Sequence, residues 1–294
     1  MSKAALLIYN PRAGTGQVAQ KLNDIVCALT KEGMRLEVFP TNGSGSAHEK
    51  IMSLDSDYEA IIASGGDGTM NEVVAGVVER GLDVAVGYIP AGSTNDFAAS
   101  LDLPSNMLSS AQLILNKNER RIDVGLMNDR PFIYVAAFGA FTKVAYATDQ
   151  TLKNIFGHAA YILSGIGSIA EIRPYHLELE IDGKGVGGNY ILGMITNSVS
   201  VGGIKNITGK HVALEDGLFE VTLVREPKGI VEVQEIVAAL LTGREDSYML
   251  DIFKASDIKI KCEEEVPWTL DGEFGGNTGD VHIKILNKAL RIYT

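Results

Sequence analysis

Hydrophobic positions in the first 125 residues alternate between two spacings, one typical of strands and one typical of helices. Gly33 and Gly81 stand where two of the helical patterns would end. Strand followed by helix, repeated, predicts a parallel sheet covered by helices on both faces, as in a Rossmann-like α/β domain. The strand-like runs are AALLIY, RLEVF, EAIIAS, DVAVGYI and RIDVGLM, and the first helical face carries Val18, Leu22, Ile25, Val26 and Leu29.

After about residue 125 the pattern becomes one of strands separated by glycine-rich turns, several of them alternating apolar and polar residues. Two helical patterns interrupt it, at residues 155–171 and from Lys228 to Leu241. These features predict an antiparallel β-sandwich or barrel, so we expect an α/β domain over 1–125 and an all-β domain over 126–294. The strand-like runs are PFIYVAAF, YHLELEI, NYILGMIT, LFEVTLV, DIKIKC and VHIKIL.

Composition narrows the possible functions. A length of 294 residues with 46% apolar residues fits two globular domains. A net charge of −11 argues against broad binding to nucleic acid phosphates. Cys27 and Cys262 are too few for a disulfide framework, and the dispersed histidines predict no zinc site. Because no run reaches the roughly 18 apolar residues of a membrane span, we expect a soluble, cytoplasmic protein.

Three of the predicted parallel strands lead into glycine-containing loops, NPRAGTG, SGGDGT and PAGSTND. The carboxyl ends of parallel strands share one edge of the sheet, where open α/β folds bind ligands. Glycines remove the Cβ atoms that would keep a large anion away from the backbone amides, so the loops predict a phosphate site. Neither the Walker pattern nor the dinucleotide GxGxxG pattern is present. The first loop offers Asn10, Arg12, Gly14, Thr15 and Gly16, and the third offers Gly92, Ser93, Thr94, Asn95 and Asp96.

Asp67 is the carboxylate of the central loop, and a helix is expected to begin near Asn71 and aim its amide-rich end at the same point. A carboxylate among phosphate-binding amides requires a cation or a proton between it and the phosphate, and Mg²⁺ fits best. We therefore expect Mg²⁺ to be held by the nucleotide and by water-mediated contacts to Asp67. We count Asp96 with it as a candidate catalytic carboxylate.

A second acidic motif, WTLDGEFGG, lies near the end of the chain. Asp271 and Glu273 are two residues apart, so on an extended strand both would face one side. One could accept a proton from a reacting hydroxyl while the other orients it or binds a metal ion, and we favour Asp271 slightly as the base. The alternative is an acidic β-turn at the surface.

The motifs together resemble the diacylglycerol kinase catalytic-domain family of bacterial soluble lipid kinases, which includes sphingosine and ceramide kinases. The resemblance covers essentially the whole chain, with its blocks in order. The matching residues are Asn10-Pro11 with Gly14 and Gly16, Gly65-Gly66-Asp67-Gly68-Thr69 with Asn71-Glu72, Gly92 to Phe97, Ile122-Asp123-Val124, Lys153 with Gly157, Asp216-Gly217, and Leu270-Asp271-Gly272-Glu273.

The resemblance implies a nucleotide-binding α/β domain like those of phosphofructokinase and NAD kinase, followed by a β-sandwich that carries the lipid site. It also implies that the final residues, about 287–294, return to the first domain. ATP phosphates would lie over the GGDGT loop. The residues that map onto the ATP site are Asn10, Arg12, Gly14, Thr41, Gly66, Asp67, Gly68, Thr69, Glu72, Gly92 and Thr94.

The resemblance further implies a structural Mg²⁺ site at Asp216, with backbone carbonyls such as that of Leu218. Position 213 is alanine, so Ala213 could contribute only its carbonyl, and a metal-free Asp-Gly turn is the alternative. Lys153 could contact the transferred phosphate or the lipid headgroup, or it could be a solvated lysine at a helix end. The apolar stretch after it could line an acyl-chain groove or belong to the core.

These observations predict an ATP- and Mg²⁺-dependent lipid kinase acting on a membrane lipid, with diacylglycerol as the leading candidate. Two alternatives remain, an NAD kinase and a catalytically inactive nucleotide- or lipid-binding regulator. Family members often pair, so the resemblance admits a homodimer. Peripheral membrane contact would need a local docking face on this acidic protein, for which the candidates are Lys143, Lys153 and Arg173.

Overall fold

The structure is a computed structural model that describes residues 4–55, 57–139, 173–205, 207–209 and 212–294. The chain forms two compact units. The first comprises Met1–Val124 with Asn287–Thr294, and the second comprises Gly125–Leu286.

The first unit contains a parallel sheet, which confirms the predicted α/β class. Its strands lie in the order β2, β1, β3, β4 with every pairing parallel. The last strand of the chain, β17 (Asp280–Tyr293), adds a parallel pairing to β4 through Arg291 and Ile292. The strands are β1 (Ala5–Tyr9), β2 (Leu36–Pro40), β3 (Ala60–Gly65) and β4 (Ala85–Pro90).

Helices cover both faces of this sheet. Consistent with this, successive side chains of the central strands β3 and β4, which point to opposite faces, are all buried. Ala5, Leu7 and Ile62 pack with the apolar faces of α1 and α5 in one core cluster. The predicted face of α1 is buried at Val18, Ile25 and Leu29. The helices are α1 (Ala13–Lys31), α2 (Ser46–Met52), α3 (Asp67–Glu79), α4 (Asp96–Ser100) and α5 (Met107–Leu115).

One predicted member of the parallel sheet is absent from it. The run RIDVGLM forms β5 (Glu119–Met127), but β5 pairs with β17 and, antiparallel, with β6 (Arg130–Phe132). The prediction that β5 continues the parallel sheet was therefore wrong. The strand that pairs with β4 on this side is β17. The order of strands along the chain does not predict this pairing.

The second unit is the predicted antiparallel β-sandwich, built over a core that includes Trp268, Phe138 and the stacked rings of Phe132 and Phe219. The helical pattern from Lys228 forms α6 (Ile230–Thr242), whereas the pattern at 155–171 lies outside the described residues. The strands are β7 (Val135–Gly139), β8 (Tyr175–Ile181), β9 (Lys184–Thr196), β10 (Ser200–Val201), β11 (Ile204–Lys205), β12 (Phe219–Arg225), β13 (Leu250–Ala255), β14 (Asp257–Lys261), β15 (Pro267–Leu270) and β16 (Glu273–Asn277).

The run PFIYVAAF is divided between β6 and β7 instead of forming one strand. The break falls at Ile133 and Tyr134, whose backbone N–H groups donate to the carboxylate of Asp271. A side chain distant in sequence thus replaces the strand partner that these two amides would otherwise need.

Candidate active site

Backbone hydrogen bonds join the loops at the carboxyl edge of the parallel sheet. The N–H of Asn10 donates to Ser64 at 2.8 Å, and the N–H of Thr41 donates to Tyr9 at 2.9 Å. Ala91 donates to Gly65 at 2.7 Å. The loops after β1, β2, β3 and β4 therefore lie side by side, and they bring together the residues predicted from sequence to contact ATP.

Three glycines allow these loops to approach closely. A Cβ added to Gly92 would lie 2.8 Å from the Cα of Gly66, and one added to Gly14 would lie 2.8 Å from the carbonyl oxygen of Ala91. Gly14 also has a φ of +59°, which glycine adopts without strain. At these positions glycine is needed for the close contact between the loops.

Helix α3 begins at Asp67, four residues before the predicted start near Asn71. Its first turn thus contains Asp67, Gly68 and Thr69, and the amides of a first turn have no partner within the helix. Together with the partial positive charge of the helix end, these amides form a surface suited to a phosphate.

Asp67 holds the loop that follows β4. Its carboxylate accepts hydrogen bonds from the N–H of Asp96 at 3.1 Å, the N–H of Phe97 at 3.4 Å and the hydroxyl of Thr94 at 3.4 Å. Asp67 and Asp96 are both buried. Burial, followed by the nearby charge of Asp96, raises the pKa of Asp67 to about 6, although its hydrogen bonds oppose the shift.

Glu72 holds the loop that follows β2. One carboxylate oxygen accepts the N–H of Gly45 at 2.7 Å and the other accepts the N–H of Ala47 at 2.9 Å. Both amides belong to the start of α2, so Glu72 supplies the cap that this helix otherwise lacks. Thr41 lies at the beginning of the same loop. Helix α3 is therefore tied through two carboxylates to the loops on either side of it.

The first glycine loop has an irregular backbone. Gly14, Thr15 and Gly16 all have positive φ values, and the regular turns of α1 follow them. The side chain of Asn10 accepts the N–H of Arg12 at 2.9 Å, which fixes the turn, and Arg12 is exposed.

Asp123 joins the returning end of the chain to the first unit. Its carboxylate, which is buried, accepts the N–H of Lys288 at 2.6 Å and the side-chain amide of Asn287 at 3.0 Å. The sequence identified the block around Asp123 as part of the resemblance without giving it a role. The structure shows that it fixes the bend at Lys288, where φ is +54°.

Asp271 and Glu273 do not share an extended strand, so the expectation that both face one side was wrong. Leu270 pairs with Glu273 across a two-residue turn between β15 and β16. Asp271 and Gly272 have φ values of +51° and +83°, as a type I′ hairpin turn requires. The Asp-Gly pair favours this turn, and that preference outweighs the extended geometry on which the spacing argument depended.

The two carboxylates of this hairpin have different surroundings. Asp271 is buried and accepts the N–H groups of Ile133 at 2.7 Å, Tyr134 at 2.9 Å and Val135 at 3.0 Å. Glu273 is exposed at the start of β16.

The implied metal site at Asp216 has a donor set that does not suit a divalent cation. Its Oδ1 accepts the N–H of Leu218 at 3.1 Å, and the ammonium of Lys254 lies 3.3 Å from its Oδ2. A metal ion bound to that carboxylate would lie within a few ångströms of the ammonium, at a repulsion that solvent screens only in part. Ala213 can offer only a carbonyl, which does not offset this repulsion.

Two further predicted residues, Lys153 and Lys143, lie outside the described residues. Arg173 is described, and its guanidinium pairs with Glu264 at the surface. Along the part of the chain that the structure describes, no helix is both long and apolar enough to cross a membrane.

Comparison with known proteins assigns a family to this geometry. The family model described as "Diacylglycerol kinase catalytic domain" matches residues 4–127. The model described as "YegS C-terminal NAD kinase beta sandwich-like domain" matches residues 135–294. The two matches correspond to the parallel-sheet region with its glycine loops and to the β-sandwich region with the Asp271 hairpin.

Similar proteins agree with these matches. A diacylglycerol kinase of Staphylococcus carnosus is 31% identical over 100% of this chain and 96% of its own length. One from Staphylococcus haemolyticus is 34% identical, over 94% and 84% respectively. A crystal structure from Bacillus anthracis, described as a diacylglycerol kinase, covers 99% of this chain and 96% of its own, with 25% identity and a TM-score of 0.78. With both halves of the chain matched, this protein belongs to the diacylglycerol kinase family of lipid kinases.

Proposed function

We propose that this enzyme transfers the γ-phosphate of ATP to the free hydroxyl of diacylglycerol, giving phosphatidic acid and ADP. The hydroxyl oxygen forms a bond to the γ-phosphorus, the bond from that phosphorus to the bridging oxygen of ADP breaks, and the hydroxyl proton passes to a carboxylate. Family membership supports a lipid kinase, and the names of the similar proteins support diacylglycerol as the acceptor.

The observation that carries this proposal is the set of loops around the start of α3. Gly14, Gly66 and Gly92 let the loops meet, and Asp67 and Glu72 hold them in place. We assign the ATP phosphates to the first-turn amides of α3, with Asn10, Arg12, Thr41 and Thr94 as further contacts. Transfer through a loose transition state depends mainly on such positioning and on charge stabilisation.

Mg²⁺ bound with the nucleotide would supply charge neutralisation at the phosphates. The carboxylates of Asp67 and Asp96 at this edge suit a hard cation. Since Asp67 already accepts three hydrogen bonds from the 94–97 loop, we propose that it contacts the ion only through water. Its direct work is to keep that loop in place.

We propose Glu273 as the proton acceptor and Asp271 as the residue that positions it, which reverses the preference for Asp271 drawn from sequence. The carboxylate of Asp271 accepts three backbone amides and fixes the turn that ends at Glu273. Glu273 is exposed, so a substrate hydroxyl can reach it.

We also propose that the enzyme works in the cytoplasm, in peripheral contact with the membrane that supplies its lipid. A homodimer stays a prediction of the resemblance. Lys153 is proposed to contact the transferred phosphate or the lipid headgroup.

The proposal is tested by incubating the purified full chain with γ-labelled ATP, Mg²⁺ and mixed micelles that contain one candidate lipid at a time. Diacylglycerol, monoacylglycerol, ceramide and sphingosine form the panel, and NAD is assayed in parallel. We expect label in phosphatidic acid at the highest rate. Label in NADP alone would favour the NAD kinase alternative, and no label in any acceptor would favour an inactive binding protein.

A further inference from the structure

Lys254 forms a charge cluster with two carboxylates of the second unit. Its ammonium lies 3.1 Å from Oε1 of Glu220 and 3.3 Å from Oδ2 of Asp216. Glu220 and Lys254 are directly opposite each other in the antiparallel pair β12 and β13. The register of two core strands therefore fixes the ammonium beside both acids.

Glu220 depends on this ammonium because its own carboxylate is buried. Only 5% of its side chain is exposed, compared with 41% for Lys254 and 30% for Asp216. Removing one partner of a buried ion pair is costly since it leaves the other charge without compensation.

We propose that the ammonium of Lys254 is the resident cation of this cluster, in place of the divalent metal ion that the resemblance implies at Asp216. A metal ion at Asp216 would have to displace the ammonium, and that displacement would leave the buried carboxylate of Glu220 unpaired. The ammonium neutralises one of the two carboxylates and links the Asp216 turn to β13, which is the structural work that a metal ion would do there.

Binding of Mn²⁺ to the nucleotide-free full chain tests this proposal directly. Free Mn²⁺ is measured by electron paramagnetic resonance during titration of the wild-type protein and of the D216N variant. We expect the two proteins to bind the same number of Mn²⁺ ions. If D216N binds one ion fewer, the cluster holds a metal ion and the proposal is wrong.

Thermal unfolding provides a second readout. We expect K254M to lower the Tm by about 5 °C or more, because a buried carboxylate loses its partner, and the double variant K254M/E220Q to regain most of this loss. The matched control is K259M, which removes an exposed pairing with Glu180 and should leave the Tm nearly unchanged. An unchanged Tm for K254M, or a double variant no more stable than K254M, would contradict the proposal.

Should K254M fail to fold, K254M/E220Q is expected to fold, and its failure to fold would count against the proposal. None of these measurements needs kinase activity. Their outcome is therefore separate from that of the proposed phosphate transfer.

Discussion

The carboxylate of Asp67 accepts the backbone N–H of Asp96 at 3.1 Å, so the only acid of the GGDGT motif holds the neighbouring glycine loop. This contact joins the ends of β3 and β4 and places two buried carboxylates next to each other. The cost of that arrangement is visible in the pKa of Asp67, which burial and the charge of Asp96 raise to about 6.

The stability of the protein should therefore depend on pH through Asp67. In the folded protein the pKa of Asp67 is about 6, against an ordinary value of 3.8. Between these two pH values the folded state keeps a proton that the unfolded chain releases, and this proton binding stabilises the folded state. The stabilisation is fully present below pH 3.8 and is lost as the pH rises to about 6. The loss amounts to about 3 kcal/mol.

Chemical denaturation at a series of pH values checks this. The free energy of unfolding of the wild type, minus that of D67N, should fall between pH 4 and pH 6 and then level off. Circular dichroism of D67N at both ends of the range serves as the control for its fold. A difference that is constant, or that rises with pH, would rule out a raised pKa at Asp67.

Glu72 should act on ATP use through the loop that it holds. We expect E72A to lower the free energy of unfolding by about 2 kcal/mol, since two amides at the start of α2 lose their acceptor. The KM for ATP should rise with the KM for lipid unchanged, because Thr41 lies on that loop. The control is E79Q on the same helix, where an exposed pair with His48 should contribute little. If E72A and E79Q changed stability and the KM for ATP equally, Glu72 would not have the proposed role of positioning the loop after β2.

Gly92 should not tolerate a side chain. G92A places a Cβ 2.8 Å from the Cα of Gly66, so the two loops must separate, at a cost of about 1 to 3 kcal/mol and with weaker nucleotide binding. G43A is the matched control, because a Cβ at Gly43 meets no atom within 4 Å. Calorimetric titration with a non-hydrolysable ATP analogue measures the difference, and similar affinities for the two variants would contradict the close-packing argument.

Substitutions of Asp271 and Glu273, the two acids of the hairpin, should have different effects. E273Q should lower kcat by about 10²- to 10⁴-fold, the usual range for a general base, with stability unchanged. D271N should lower the free energy of unfolding by about 2 to 3 kcal/mol, because three amides lose a charged acceptor.

Asp182 provides a control for D271N because it also begins an Asp-Gly turn with positive φ and accepts backbone amides, those of Ser256 and Asp257. D182N should be less destabilising, since Asp182 is exposed, and should leave kcat unchanged. If E273Q keeps full turnover, Glu273 is not the base.

Much of this fold could be predicted from the sequence because its signals are local. Buried parallel strands are continuous apolar runs, and a glycine such as Gly33 marks the end of a helix. The pairing of β5 was not predictable in this way, since RIDVGLM has the same apolar character whichever strand lies beside it. Its position depends on β17, where Lys288, which donates to Asp123 of β5, lies 165 residues further along the chain.

The candidate site was predictable in its residue types but not in its contacts. The glycine loops and the acids were identified from the sequence, yet the attachment of Asp67 to Asp96, and of Asp271 to the 133–135 amides, requires knowledge of which loops meet. Lys254 was missed entirely, because its place opposite Glu220 follows from strand register. The catalytic and binding roles of the site residues stay predictions.

Competition between acceptors tests the central claim most directly. Wild-type protein receives γ-labelled ATP together with equal concentrations of diacylglycerol, in mixed micelles, and NAD. The account predicts that the label enters phosphatidic acid and that E273Q lowers this incorporation by about 100-fold or more. Label in NADP alone, or no label in phosphatidic acid, would contradict the account.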